Sequence, residues 1–122
     1  IDRPLDACRI AEAAAATYVA RSTAFHVKHL TQMIAGGLAN HGFSLIEVMV
    51  QCPTAYGRKN RMGSPAAMLS WMKDAAVMKT AWDKLPPEKR TAEQFPIGLL
   101  CVCEGEEYGT ANAAIQQRAG GL

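Results

Sequence analysis

The run Phe43-Ser-Leu-Ile-Glu-Val-Met-Val50 constrains the fold more than any other part of the chain. It is rich in β-branched and apolar residues, the composition of a strand covered on both faces. A helical stretch precedes it: Val27, Leu30, Ile34 and Leu38 step by three and four residues, and Ser22 or Thr23 is positioned to cap the start. Asn40-His41-Gly42 ends that helix, with Gly42 free to take a left-handed conformation. Upstream, Pro4 to Ala16 reads as a helix with Asp6 at its positive end, and Thr17-Tyr-Val-Ala20 as a short strand. Helix, strand, helix, strand within about fifty residues predicts an α/β, Rossmann-like, three-layer parallel sheet segment.

The rest of the chain continues in that manner. Residues 53–63 hold two glycines, a proline and the cations Arg58, Lys59 and Arg61, and read as a basic loop. Ser64-Pro65 opens a helix carrying Met68, Leu69, Trp71 and Met72. A further helical piece is expected over 77–85, a third strand over Phe95–Val102, and a final helix over Glu106–Arg118 that Gly109 weakens. Residues 119–122 are expected to fray as a flexible tail. Residues 1–122 thus read as a single α/β domain or fragment, with no internal repeat. The first residue, Ile1, favours the fragment.

The charge is +2 overall, with 49% hydrophobic residues. Residues 53–95 carry eight basic against four acidic residues, and 96–122 carry one against three. That asymmetry suits a charged protein partner and is too weak to imply nucleic acid. No run reaches the ~18 apolar residues of a membrane span, and the start lacks a signal-peptide pattern. A cytoplasmic protein with reduced thiols is expected.

The four cysteines, Cys8, Cys52, Cys101 and Cys103, form no C-x-x-C pair. Cys8 is expected on the inner face of the first helix, and Cys101 and Cys103 in the core on one face of a strand. In a parallel sheet, ligands bind beyond the carboxyl ends of the strands, where helix N-termini gather. That edge receives Arg21-Ser22-Thr23 from one strand and Gln51-Cys52-Pro53-Thr54 from the next. Cys52 there is either a half-buried small hydrophobe or a thiolate ligand. Arg21, Ser22 and Lys28 are candidates to bind an anionic substrate group. His26 and His29 lack a third metal ligand nearby and read as solvated or partner-facing. Arg58, Lys59 and Arg61 are either solvated or dock an acidic protein. None of the Walker, dinucleotide-binding, nucleophile-elbow or zincin motifs is present.

Two motifs at a definite separation carry a family resemblance. The stretch Ala16-Thr-Tyr-Val-Ala-Arg-Ser-Thr-Ala-Phe-His-Val-Lys-His-Leu30 is followed by Gly42-Phe-Ser-Leu-Ile-Glu-Val-Met-Val-Gln-Cys-Pro-Thr-Ala-Tyr-Gly-Arg-Lys-Asn60. Together they resemble the C-terminal part of the thiamine-diphosphate-binding β subunit of the 2-oxoacid:ferredoxin oxidoreductases. The Gln-Cys-Pro-Thr form, with Met68-Leu-Ser-Trp-Met72 after it, is most similar to the 2-oxoglutarate branch.

The resemblance implies oxidative decarboxylation of a 2-oxoacid to an acyl-CoA, with coenzyme A as acyl acceptor and ferredoxin as electron acceptor. It implies thiamine diphosphate with Mg, a 4Fe-4S cluster and an α subunit as partner in the intact enzyme. Cys52 falls on the family's fourth cluster ligand. The family's three earlier cluster cysteines and its G-D-G…N diphosphate motif have no counterpart in these 122 residues. The chain by itself is therefore expected to carry neither cofactor and to be inactive. The rival expectation is a non-catalytic α/β module for ligand binding or subunit assembly.

Overall fold

The computed structural model describes residues 5–120. The first helix, α1, spans Ala7–Ala13 and is capped by Asp6, whose side chain accepts a hydrogen bond from the Arg9 N–H. Strand β1 (Tyr18–Thr23), helix α2 (Val27–Ala39) and strand β2 (Ser44–Met49) follow. A wide helical turn over Pro53–Gly57 leads toward α3 (Pro65–Ala75), which runs directly into a three-residue strand, β3 (Ala76–Met78). The short helix α4 (Lys79–Trp82), strand β4 (Phe95–Val102) and helix α5 (Tyr108–Ala119) complete the chain.

The strands form one sheet in the order β2-β1-β4-β3. β1 and β2 are parallel, from Tyr18 opposite Ser44 to Thr23 opposite Met49. β4 runs antiparallel to β1, with Arg21 opposite Gly98, and β3 is parallel to β4. The α/β class expected from the sequence is borne out, and the all-parallel sheet is corrected to a mixed one. β1-α2-β2 is the parallel unit. β3 and β4 run the other way because α3 returns the chain and passes into β3 without a loop.

β1 is an interior strand, and all six of its residues are buried. On one face, Val19 packs with Cys8, Ala11 and Ala16, and with the half-buried Leu45, Leu100 and Cys101. On the other lies α2, whose Gly36 and Gly37 let the helix approach the sheet closely. A Cβ on Gly36 would sit 2.6 Å from the Tyr18 hydroxyl, and one on Gly37 would sit 2.7 Å from Ile46 Cδ1. The Tyr18 hydroxyl donates to the Met33 carbonyl at 2.9 Å, fixing helix to strand. Gly42 has φ +127°, as its place after the helix required.

Several expectations are revised. Most of the apolar stripe of α2 turns away from the sheet: Leu38 is 83% exposed, Val27 and Ile34 are exposed too, and Leu30 is half-buried. Small residues form the packing face instead. β2 is an edge strand whose residues are half-buried or exposed, so it is not covered on both faces. Residues 53–59 coil helically where a loop was expected, and Val77 belongs to a strand instead of a helix. β1 extends through Thr23, so neither Ser22 nor Thr23 occupies the cap of α2; His26 does. Ser64 and Pro65 start α3 as expected, with the Ser64 hydroxyl accepting from the Ala67 N–H. Pro4 and the end of the tail lie outside the described residues.

The Gly36 contact generates a test. Gly36→Val should lower the urea midpoint by the equivalent of ~1–3 kcal/mol, because the new side chain displaces the tyrosine ring and its hydrogen bond. Adding Tyr18→Phe should then cost less than it does in the wild-type background, a non-additivity that a double-mutant cycle measures.

Candidate functional site

The side chains near the strand ends separate onto the two faces of the sheet. Arg21 points toward α1, where its guanidinium meets Asp6 at 2.8 Å and also pairs with Glu47. Glu47 is its partner across the parallel ladder, and the Cys8 thiol donates to the same carboxylate at 3.4 Å. One cation thus ties α1, β1 and β2 together. Burial pushes the Cys8 thiol up to about 12, with the Arg21 charge opposing and Glu47 adding to the rise. Cys8 is therefore an inert core thiol, as its helix position suggested.

Ser22 points to the opposite face and is fully buried. Its hydroxyl pairs with His29 Nδ1 at 2.8 Å, and Thr23 Oγ1 pairs with His26 Nδ1, also at 2.8 Å. The two histidines, expected to be solvated or partner-facing, are therefore held by separate hydroxyls. Lys28 is exposed on α2. Arg21, Ser22 and Lys28, the candidates for an anionic substrate group, are not brought together: alternation along β1 sends Arg21 and Ser22 to opposite faces, and Asp6 and Glu47 pair with the arginine.

Cys52 lies just past β2, at the entrance of the turn over Pro53–Gly57, and its side chain is exposed. Gly57 N–H donates to the Cys52 carbonyl at 2.9 Å, closing the turn. Backbone N–H groups of Tyr56 and Ala55, with the Thr54 side chain, hold the Cys52 thiol below its ordinary value. A thiolate at this position meets donors rather than a greasy wall, which favours the anionic form that metals bind.

Behind it lies an apolar cavity of about 360 Å³, lined by Met49, Val50, Gln51, Met62, Met68 and Met72 among others. A neighbouring crevice of about 520 Å³ is bordered by Arg21 and Glu47, and shares Met49, Tyr56 and Trp71 with the first. The strand-end clusters thus flank adjoining cavities, although Ser22 does not reach them. Gln51 Oε1 is buried there without a hydrogen-bond partner.

Cys101 is half-buried and Cys103 exposed, so the second of these does not belong to the core as expected. Cys103 lies beyond the strand end, where its thiol donates to the Ala16 carbonyl at 3.6 Å. From the sequence Asp6 was placed only at the start of the first helix and Glu47 was given no role, although a glutamate inside an apolar strand was a signal. Among the described residues, no three His, Cys, Asp or Glu side chains converge as a metal site, and no helix is long and apolar enough to cross a membrane.

The chain shares its mixed α/β fold with part of a solved protein. The chain superposes with a TM-score of 0.71 on a 2-oxoglutarate:ferredoxin oxidoreductase from Magnetococcus marinus, solved with 2-oxoglutarate, coenzyme A and succinyl-CoA bound. That likeness covers 98% of this chain and 40% of the other at 20% identity, and speaks for the fold alone. Sequence comparison is more specific. The chain is 45% identical over 89 residues to the 2-oxoglutarate synthase subunit KorB of Methanothermobacter marburgensis, and 44% identical over 77 residues to that of Methanocaldococcus jannaschii. No family model matches. Over those stretches the chain is similar to the KorB subunits, in agreement with the resemblance drawn from its two motifs. The matched stretches span 73% of this chain and 31% of the first relative, and 63% of this chain and 28% of the second.

Two measurements follow from the side-chain environments. Iodoacetamide titration read by peptide mass spectrometry should find Cys52 alkylated first and at the lowest pH, and Cys8 last; equal rates at these two would contradict the N–H cradle. Burial beside Ser22 and the neighbouring His26 charge hold His29 below its ordinary 6.5. A histidine lowered on folding favours its neutral form, so its contribution is complete above about pH 6.5 and is lost as pH falls through the folded value. Wild type should therefore lose urea stability relative to His29→Gln as pH drops below 6.5, with parallel behaviour above it.

Proposed function

We propose that this chain is the C-terminal part of the β subunit of a 2-oxoglutarate:ferredoxin oxidoreductase, working in complex with an α subunit. The observation that carries the reading is the 45% identity to a 2-oxoglutarate synthase subunit over 89 residues. The reaction converts 2-oxoglutarate and coenzyme A into succinyl-CoA and carbon dioxide, releasing one proton and two electrons, the latter passed to ferredoxin. Bound thiamine diphosphate with Mg supplies the electron sink for decarboxylation, and a 4Fe-4S cluster accepts electrons singly.

The described residues fit the cluster at one position. Cys52 is exposed, its thiolate is favoured by the turn that follows, and the ordered end of β2 fixes its direction. The remaining ligands, and those of the diphosphate and its metal, would come from outside this chain. Arg21 acts in this reading as a positioning residue. By pairing with Glu47 it braces β2, the strand that delivers Cys52.

Replacing Cys52 by Ala in the intact complex should lower iron content and abolish ferredoxin reduction, because a cubane cluster wants four converging protein ligands. An unchanged iron assay and an unchanged cluster spectrum would sink the assignment.

A further inference from the structure

The cations Arg58, Lys59 and Arg61 are not accounted for by the reaction. All three are exposed, and none takes part in an ion pair among the described residues. They also sit on an ordered support. The Cys52 carbonyl accepts from Gly57 N–H, Arg58 N–H donates to the Ala55 carbonyl, and Met62 N–H returns to the Gly57 carbonyl at 2.9 Å. Gly57 is buried tightly against Met68 of α3; a Cβ there would lie 2.5 Å from its sulfur. Arg58 follows Cys52 by six residues, at the end of the wide helical turn that Cys52 opens. A cationic segment on a hydrogen-bonded turn therefore follows directly on the cluster position.

The surface between them is apolar and open. Val50, two residues before Cys52, is 63% exposed and Tyr56, four residues after it, 55%, and all three line one cavity. An exposed aromatic and an exposed aliphatic side chain with arginines on the same segment have the composition of a protein interface. The wider field agrees, because residues 53–95 carry eight basic against four acidic residues, and 96–122 carry one against three. Such an arrangement steers an acidic partner toward one face.

We infer that Tyr56, Arg58, Lys59 and Arg61 form the docking surface for the enzyme's electron acceptor, a small acidic redox protein of the ferredoxin kind. The inference rests on the proposed role of Cys52 as a cluster ligand. Docking here brings the acceptor beside the cluster, and the charges act on encounter rate more than on the lifetime of the complex. A short, salt-sensitive encounter suits a carrier that must leave after receiving an electron.

The test uses the intact complex carrying Arg58→Glu, Lys59→Glu and Arg61→Glu together. Against ferredoxin at low ionic strength, kcat/KM should fall roughly tenfold, and the difference from wild type should shrink as salt screens the charges. Iron content and 2-oxoglutarate-dependent reduction of methyl viologen, a small dication with no use for a cationic dock, should stay at wild-type levels. Ferredoxin kinetics equal to wild type would overturn the inference. So would a rise in KM for coenzyme A with ferredoxin unaffected, which would mark the cations as a phosphate anchor instead. If the triple glutamate variant loses iron, the triple glutamine variant and the salt dependence of the wild-type enzyme decide the matter. A wild-type rate with ferredoxin that does not change with salt would then refute docking. Loss of the underlying reading is separately visible, because it would appear as a retained cluster in the Cys52→Ala enzyme.

Discussion

The Arg21 guanidinium, held between Asp6 and Glu47, is the interaction on which the rest of the structure depends. It is placed on the interior strand β1, under α1, with its side chain only 11% exposed. A lone cation there would carry a desolvation penalty of several kcal/mol. Two carboxylates offset it, one from the cap of α1 and one from the neighbouring strand. The same Asp6 also receives the Arg9 N–H, so the helix start and the ion pair share one side chain. Breaking either contact would leave buried charge behind, and it would loosen three elements at once.

That brace explains how an edge strand can hold a functional residue in a definite place. β2 has a neighbour on one side only, and its outer residues are half open. Its direction is set by the ladder to β1, by the Arg21–Glu47 pair in that ladder, and by α2 packing through Gly37 against Ile46. Cys52 follows three residues after the strand, at a turn whose first amide groups are turned toward sulfur. The chemistry proposed for the thiolate thus depends on contacts made on both faces of the sheet, none of which involves the sulfur itself.

The two histidine–hydroxyl pairs show the opposite use of polar groups. Ser22 and Thr23 are completely buried, and each needs a partner because an unsatisfied hydroxyl in the core is costly. His29 and His26 supply those partners from the start of α2, at 2.8 Å in each case. They orient the helix over the sheet. What reads in sequence as a small cluster of candidate ligands is, in three dimensions, the means by which one helix is docked.

The sequence by itself determined the α/β class, the element order through β2, the start of α3, the whole of β4 and the position of Cys52 at a strand end. These follow from local chemistry: hydrophobic period, caps, and turn residues with special backbone needs. Only the tertiary structure decided the direction of β4, the existence of β3, and which face of α2 packs. In α2 the large apolar residues predicted the wrong face, because close approach to Tyr18 and Ile46 selects glycine and leaves Leu38 outside. The site divided in the same way. Arg21, Ser22 and Lys28 are near one another in sequence, yet strand alternation sends the first two to opposite faces, while Asp6 and Glu47 reach Arg21 from 15 and 26 residues away. Spacing along a chain reports what is local, and the partners of a buried charge are set by the folding of distant segments onto one strand.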